Sequence, residues 1–347
     1  MSNVVQFAPW RELSSENFHP ESGFNAQQAI EAAKLDWEVR KVPLKFEDVI
    51  WEELGEGFNW YRQGSDLHDL DTHMMTVRPD INNKPHILGV VGKNYSILQN
   101  IDAFKTFNPF FENGLCTVES AGMFAGGKKV WVLAKIAGDY LESVPGETLM
   151  PYMLLSNSHD GTQAARIGFT MVEISCYNSY MLATTSKTKS KVVKVKHMGN
   201  ITYNLEQIRD IMDISRQQFI TTAENLKYLS TLPVNQEDLK RLVKVTFSQE
   251  KLEQQLSDVI VDEEDRKSRV LESITQAFEE APGNDNLHIK GTALAFFKAV
   301  TYYTQYQRGN KNSTPETRLQ NQWFGDSQNL HAKAFKAASQ VKELVTV

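Results

Sequence analysis

The hydrophobic pattern changes character along the chain. Near the start, Ala26, Ala29, Ile30, Ala33 and Trp37 recur at helical spacing behind Asn25, an N-cap with Gln28 three residues on. Pro43 ends that segment. Residues 44–72 follow neither period: Trp51, Phe58, Trp60 and Tyr61 are scattered among acids and glycines, and the stretch reads as a loop-rich insert. Strand runs begin at His73 with HMMTVR, followed by turn chemistry at Pro79-Asp80 and Asn82-Asn83. ILGVVG returns as the second arm of a hairpin, and NYSILQ reads as a third short strand. Asn100 or Asp102 then caps a short helix carrying Ile101, Phe104 and Phe107, which stops near Gly114. TVESAGMF, the Gly126-Gly127 turn and KKVWVLAKI make a second hairpin. Pro145-Gly146 separates it from LMPYMLLS, whose partner strand is ARIGFTMVEISC.

After Gly199-Asn200 the period becomes helical. Leu205, Ile208, Met212 and Phe219 mark one face of a helix, and further helices are predicted at about 223–230, 235–245, 250–280, 290–307 and 330–345. Strands joined by short turns imply antiparallel pairing. The predicted class is therefore α+β: an antiparallel β-meander core with flanking helices, then a helical C-terminal half. The expected divisions are an arm at 1–22, the α+β core at 23–200 and the helical region at 201–347.

Composition adds limits. The 347 residues are 41% hydrophobic and 23% charged, with 37 Lys+Arg against 43 Asp+Glu, which describes an ordinary globular chain. Its net charge of −6 gives no global attraction to nucleic acid or anionic lipid, so such binding needs a local patch. Two isolated cysteines, Cys116 and Cys176, imply a reducing, cytoplasmic setting. The first residues carry no signal-peptide pattern, and no apolar run is long enough to span a membrane.

One local patch stands out. From Ile174 to Leu205 there is no Asp or Glu, and Lys187, Lys189, Lys191, Lys194 and Lys196 fall inside that window. Each alternating set projects to one face of an extended chain, which suits a phosphate backbone. Tyr177, Tyr180 and Tyr203 flank the ladder as candidate base-stacking rings. The competing account is a solvated edge strand whose lysines block pairing, and the two stand about even. For Arg166, a phosphate contact and a salt bridge to Glu173 or Glu119 are both open. His159-Asp160-Gly161 reads as a turn rather than a catalytic or metal pair, since adjacent strand residues face opposite ways and the eight histidines lack ligand spacing. Gly122, Gly126 and Gly127 lack the Gly-Lys-Ser/Thr ending of a phosphate loop and read as a hairpin turn. Trp323-Phe324-Gly325 reads as an aromatic plug for a helix end.

LGVVGKNYSILQN at 88–100, SAGMFAGGKKVWVLAKI at 120–136, LLSNSHDGTQA at 154–164, Cys176-x-Asn178, KHMGNI at 196–201, ALAFFKAVTYYTQYQRG and WFG at 323–325 together resemble the phage- and plasmid-borne family called domain of unknown function 932. One departure is Val172-Glu173-Ile174-Ser175, where the family carries an arginine and paired valines. The resemblance implies a mobile-element setting and supplies no catalytic residues. The order of elements is also similar to that of single-strand annealing proteins of the Rad52 and Red-beta type, an analogy of fold alone. The functional expectation is a non-enzymatic, homo-oligomeric protein that binds single-stranded nucleic acid in recombination or replication. It needs no cofactor, and its candidate contacts are Lys187, Lys189, Lys191, Lys194, Lys196, Arg166, Tyr177 and Tyr180. The alternative is a host-protein-binding or counter-defence protein with no nucleic-acid role.

Overall fold

The computed structural model describes residues 25–53, 60–79, 84–138, 140–163, 165–173, 179–181, 193–195, 205–247, 263–309 and 313–341. The expected N-terminal arm at 1–22 lies outside them. The first helix, Ala26–Ala32 (α1), carries the predicted capping box: Asn25 accepts from the Gln28 amide, and the Gln28 side chain accepts from Asn25. It is shorter than its apolar spacing suggested. Ala33 closes it, Lys34 adopts a left-handed backbone, and Trp37 lies beyond the helix.

Of the stretch read as a loop-rich insert, residues 44–53 and 60–72 are β-structure, and 54–59 lie outside the described residues. Arg40–Glu53 (β1), Trp60–Pro79 (β2) and Pro85–Gly92 (β3) form a three-stranded antiparallel sheet in that order. Where its side chains are described, at 40–47 and 66–73, the β1–β2 ribbon largely meets solvent. Lys45 pairs with Asp69 across it at 3.2 Å, and Phe46, 49% exposed, packs on His68 opposite. A ribbon with little buried face leaves no period-two pattern to read.

NYSILQ is not a strand. Its polar groups are satisfied individually: the Tyr95 hydroxyl donates to Ser158 O, and Leu98 O accepts from Asn157 Nδ2. The Gln99 amide both accepts from Val39 N and donates to Val39 O, replacing a ladder rung with a side chain. Two short helices follow, Asn100–Lys105 (α2) and Asn108–Glu112 (α3). Neither Asn100 nor Asp102 is the cap. Gln99 holds that position, while Asn100 is buried and donates to Leu35 O.

The larger sheet comprises Cys116–Phe124 (β4), Lys129–Ile136 (β5), Leu141–Val144 (β6), Glu147–Ser158 (β7), Ala165–Glu173 (β8), Ser179–Met181 (β9) and Val193–Val195 (β10). Its order is β10-β8-β7-β5-β4, with β6 also on β7 and β9 also on β8, and every pair is antiparallel. The predicted hairpin turn at Gly126-Gly127 joins β4 to β5, with φ of 66° and 102° that suit glycine.

The C-terminal half is helical, as its periodicity predicts. Leu205–Ser230 (α4) is one helix where two were expected. Gln236–Phe247 (α5), Glu263–Glu280 (α6) and Ala293–Tyr302 (α7) follow, the last continuing into a π-helical turn at Tyr303–Gln307. Pro315–Phe324 (α8) and Asp326–Ser339 (α9) close the described chain. Every residue from Ala293 to Thr301 is buried, which makes α7 the central helix of its layer.

Three clusters of buried side chains hold the layers together. Val130, Val132, Met153, Leu155 and Ile167 turn one sheet face toward α1, α2 and α3. Trp131, Leu133, Tyr152 and Leu154 turn the other toward Leu319 and Trp323 of α8. The third cluster joins Val144, Leu149 and Met171 to residues of α4 through α7 and α9. Sheet and helical half therefore share a core across the expected boundary at residue 200.

Candidate nucleic-acid interface

Of the predicted contact residues, Lys187, Lys189, Lys191, Lys196 and Tyr177 lie outside the described residues. Tyr180 is on β9 and Lys194 on β10, both short strands alongside β8. Lys194 is in register with Arg166, which is in turn in register with Ser156 of β7. Lys194 thus stands at the sheet edge beside Arg166.

Strand alternation sets what surrounds Arg166. Trp131 and Leu133 of β5, Tyr152 and Leu154 of β7, and Val172 of β8 belong to the cluster under α8. Lys129 and Arg166 share the parity of these residues and close the same face at one end of the sheet. There Phe324 receives both cations: Arg166 Cζ lies 4.8 Å from the ring centroid and Lys129 Nζ 5.7 Å. These are cation–π distances. Neither cation makes a carboxylate ion pair among the described residues, so the open salt bridge from Arg166 to Glu119 is not formed, while the Glu173 side chain lies outside the described residues. Burial of the Arg166 guanidinium lowers its pKa from the ordinary arginine value. Lys128 stands exposed beside Lys129. Trp323 is fully buried and stacks edge-on against Trp131 at 5.1 Å, so the Trp-Phe pair is the expected plug, with Phe324 as its outer lip.

The polar knot at 156–162 is structural bracing. His159 is fully buried, its Nε2 2.8 Å from Asn100 Oδ1, with Trp37 edge-on against its ring. Thr76 of β2 donates its hydroxyl to His159 O, tying the small sheet to the large one. Asp160 accepts from the Ser158 and Thr162 hydroxyls and the Thr162 amide. Partial burial pushes its carboxyl up, but these bonds and nearby Lys129 outweigh that and hold its pKa below the ordinary value. Among the described residues no group of three or more His, Cys, Asp or Glu is placed to hold a metal ion. No helix among them is long and apolar enough to cross a membrane.

Sequence reasoning missed a buried ion pair between Lys298 of α7 and Glu147 of β7, at 3.2 Å and 0% and 1% exposed. Its signal was present: a lone lysine inside the apolar run ALAFFKAV demands a buried anion.

The family description "Domain of unknown function (DUF932)" matches residues 87–330. No curated protein and no solved structure matches the chain, so the annealing-protein analogy finds no support there.

Proposed function

The chain belongs to the DUF932 family, and from that premise we propose that it is a non-enzymatic protein that binds single-stranded nucleic acid along the β8–β10 edge of its large sheet. One observation carries the reading: Arg166 and Lys129 converge on the Phe324 ring, with Lys194 in register beside Arg166 and no carboxylate within ion-pair distance of either of the first two among the described residues. Cations outside close ion pairs, set beside an aromatic ring, are what a phosphate backbone with unstacked bases engages. The acid-free window 174–205, which contains Lys194, adds four further lysines of the ladder to the positive charge of this stretch of sequence. Recombination or replication of a mobile element, self-assembly and action in the host cytoplasm are the setting this reading implies.

The test is fluorescence anisotropy of a labelled single-stranded oligonucleotide titrated with the full chain over a range of salt. Binding is expected to weaken with salt, and Arg166→Gln to lower the log–log slope by about 0.7, the contribution of one single-strand phosphate contact. Arg166→Lys keeps the charge and is expected to keep the slope. Salt-independent or absent binding in the wild type overturns the proposal.

A further inference from the structure

A second concentration of positive charge lies where the π-helical turn, α8 and the start of α9 meet. A cleft of about 220 Å³ is lined there by Arg308, Ser313, Thr317, Arg318, Asn321 and Ser327, among others. The nucleic-acid proposal does not use these groups. Both arginines are half-buried, yet neither has a carboxylate within ion-pair distance among the described residues. Glu316, on the same helix as Arg318, instead accepts from the Ala125 amide. Among the described residues each guanidinium makes one hydrogen bond, Arg308 to the Ser327 hydroxyl at 3.4 Å and Arg318 to Ser313 O at 3.2 Å. A guanidinium carries five N–H donors, so among those residues most of their capacity is unspent. The Arg318 Nε is shielded from water and has no partner among the described residues.

Two neighbouring cations in a partly desolvated cleft repel each other, and an anion between them removes that cost. The geometry points to a binding site for a phosphate group, held by the Arg308 and Arg318 forks with hydroxyls and an amide from Ser313, Thr317, Ser327 and Asn321. Planar guanidinium pairs match phosphate oxygens bidentately. The volume falls below the roughly 300 Å³ at which pockets for larger ligands begin, so the cleft takes the phosphate itself rather than a whole nucleotide. Thr304 of the lining is backed by His331. His331 is buried with its Nε2 2.6 Å from the Thr304 hydroxyl, and burial together with Arg308 brings its pKa down to about 3. Among the described residues the one opposing group on the lining is Asp326, exposed at the rim and paired with neither arginine.

The experiment is isothermal titration of the full chain with inorganic phosphate, then with 5′-phosphorylated and 5′-hydroxyl dinucleotides. Arg308→Gln and Arg318→Gln are each expected to weaken phosphate binding about tenfold or more, the loss of one charge-assisted hydrogen-bonding partner. Asp326→Asn removes the opposing charge at an exposed position and is expected to tighten binding several-fold without disturbing the fold. Tighter binding of the phosphorylated than of the hydroxyl dinucleotide identifies a polynucleotide end as the source, and equal binding identifies the free anion. Absence of phosphate binding, or affinity unchanged in folded Arg308→Gln and in Asp326→Asn, overturns the site. Arg166→Gln is expected to leave phosphate affinity intact, which keeps this outcome separate from that of the sheet edge.

Discussion

At the scale of single residues, the constraints that matter most are close approaches and buried charge. Gly89 of β3 sits so near the 159–161 turn that a Cβ built there lies 2.7 Å from Asp160 Cα. Gly89 lies within β3, and the facing turn is tied to β2 by the Thr76 hydroxyl on His159 O. Gly89→Ala is therefore expected to cost about 1–3 kcal/mol, the range for overpacking, read as a lowered urea midpoint with an unchanged slope. Wild-type stability in this variant would show that the two sheets separate freely. Lys298 presents the opposite problem. Removing it in Lys298→Ala leaves Glu147 buried without its cation, and about 3–5 kcal/mol of destabilisation is expected. The double variant Lys298→Met with Glu147→Leu is expected to recover most of that loss, because two apolar groups need no neutralisation. A double variant as unstable as the single one would mean that the pair positions α7 on β7 through its charge.

At the scale of elements, the lysine ladder is the segment whose two accounts diverge in measurement. Lys194 on β10 fixes one point of it at the sheet edge. If Lys187, Lys189 and Lys191 track a phosphate backbone, replacing all three by Gln lowers the salt slope of binding by about 2. If they only guard an edge strand, the same variant keeps its affinity and scatters more light as it aggregates. Anisotropy and light scattering on one sample separate the two outcomes. Elements also differed in how well they could be read. Strands buried on both faces, such as β5 and β7, carry near-continuous apolar runs that read as strands. The β1–β2 ribbon and the 95–99 segment do not, since one meets solvent and the other is tied by the side chains of Gln99 and Asn157.

At the scale of the whole molecule, two expectations follow from shared burial. Val144, Leu149 and Met171 pack with the helical residues, so a fragment ending at residue 200 exposes apolar sheet surface. That fragment is expected to lack the cooperative thermal transition of the full chain, and a sharp transition of its own would make residue 200 a true domain boundary. The second concerns acid. His331 is buried, and its folded pKa of about 3 lies below the ordinary value of 6.5. The unfolded chain therefore binds a proton in that window that the folded chain does not. The contribution of His331 is complete above pH 6.5 and is lost as pH falls toward 3, by about 1.4 kcal/mol for each pH unit. His331→Gln is expected to flatten stability against pH in that window. Asp160, whose folded pKa lies below its ordinary 3.8, contributes stability present above that value and lost only in stronger acid. The two effects are separable in one titration followed by circular dichroism.

The sequence alone determined the α+β class, the capping box at Asn25, the second hairpin with its Gly126-Gly127 turn, the helical character after residue 200 and the aromatic plug at Trp323-Phe324. Each of these depends on local chemistry: a side chain that caps its own helix, a positive φ that suits glycine, a period that matches one buried face. Tertiary structure decided the rest. Arg166 became a cation against Phe324 because α8 crosses the end of the sheet, a pairing 158 positions apart that no spacing rule reaches. Asn100, read as a helix cap, was drawn into the core by Leu35 O and His159. Arg308 and Arg318 are isolated basic residues in the sequence, with no spacing that pairs them. They became a site only when a π-helical turn and a helix corner set them around one cleft, since electrostatic demand depends on separation and solvent exclusion, which the linear chain does not carry.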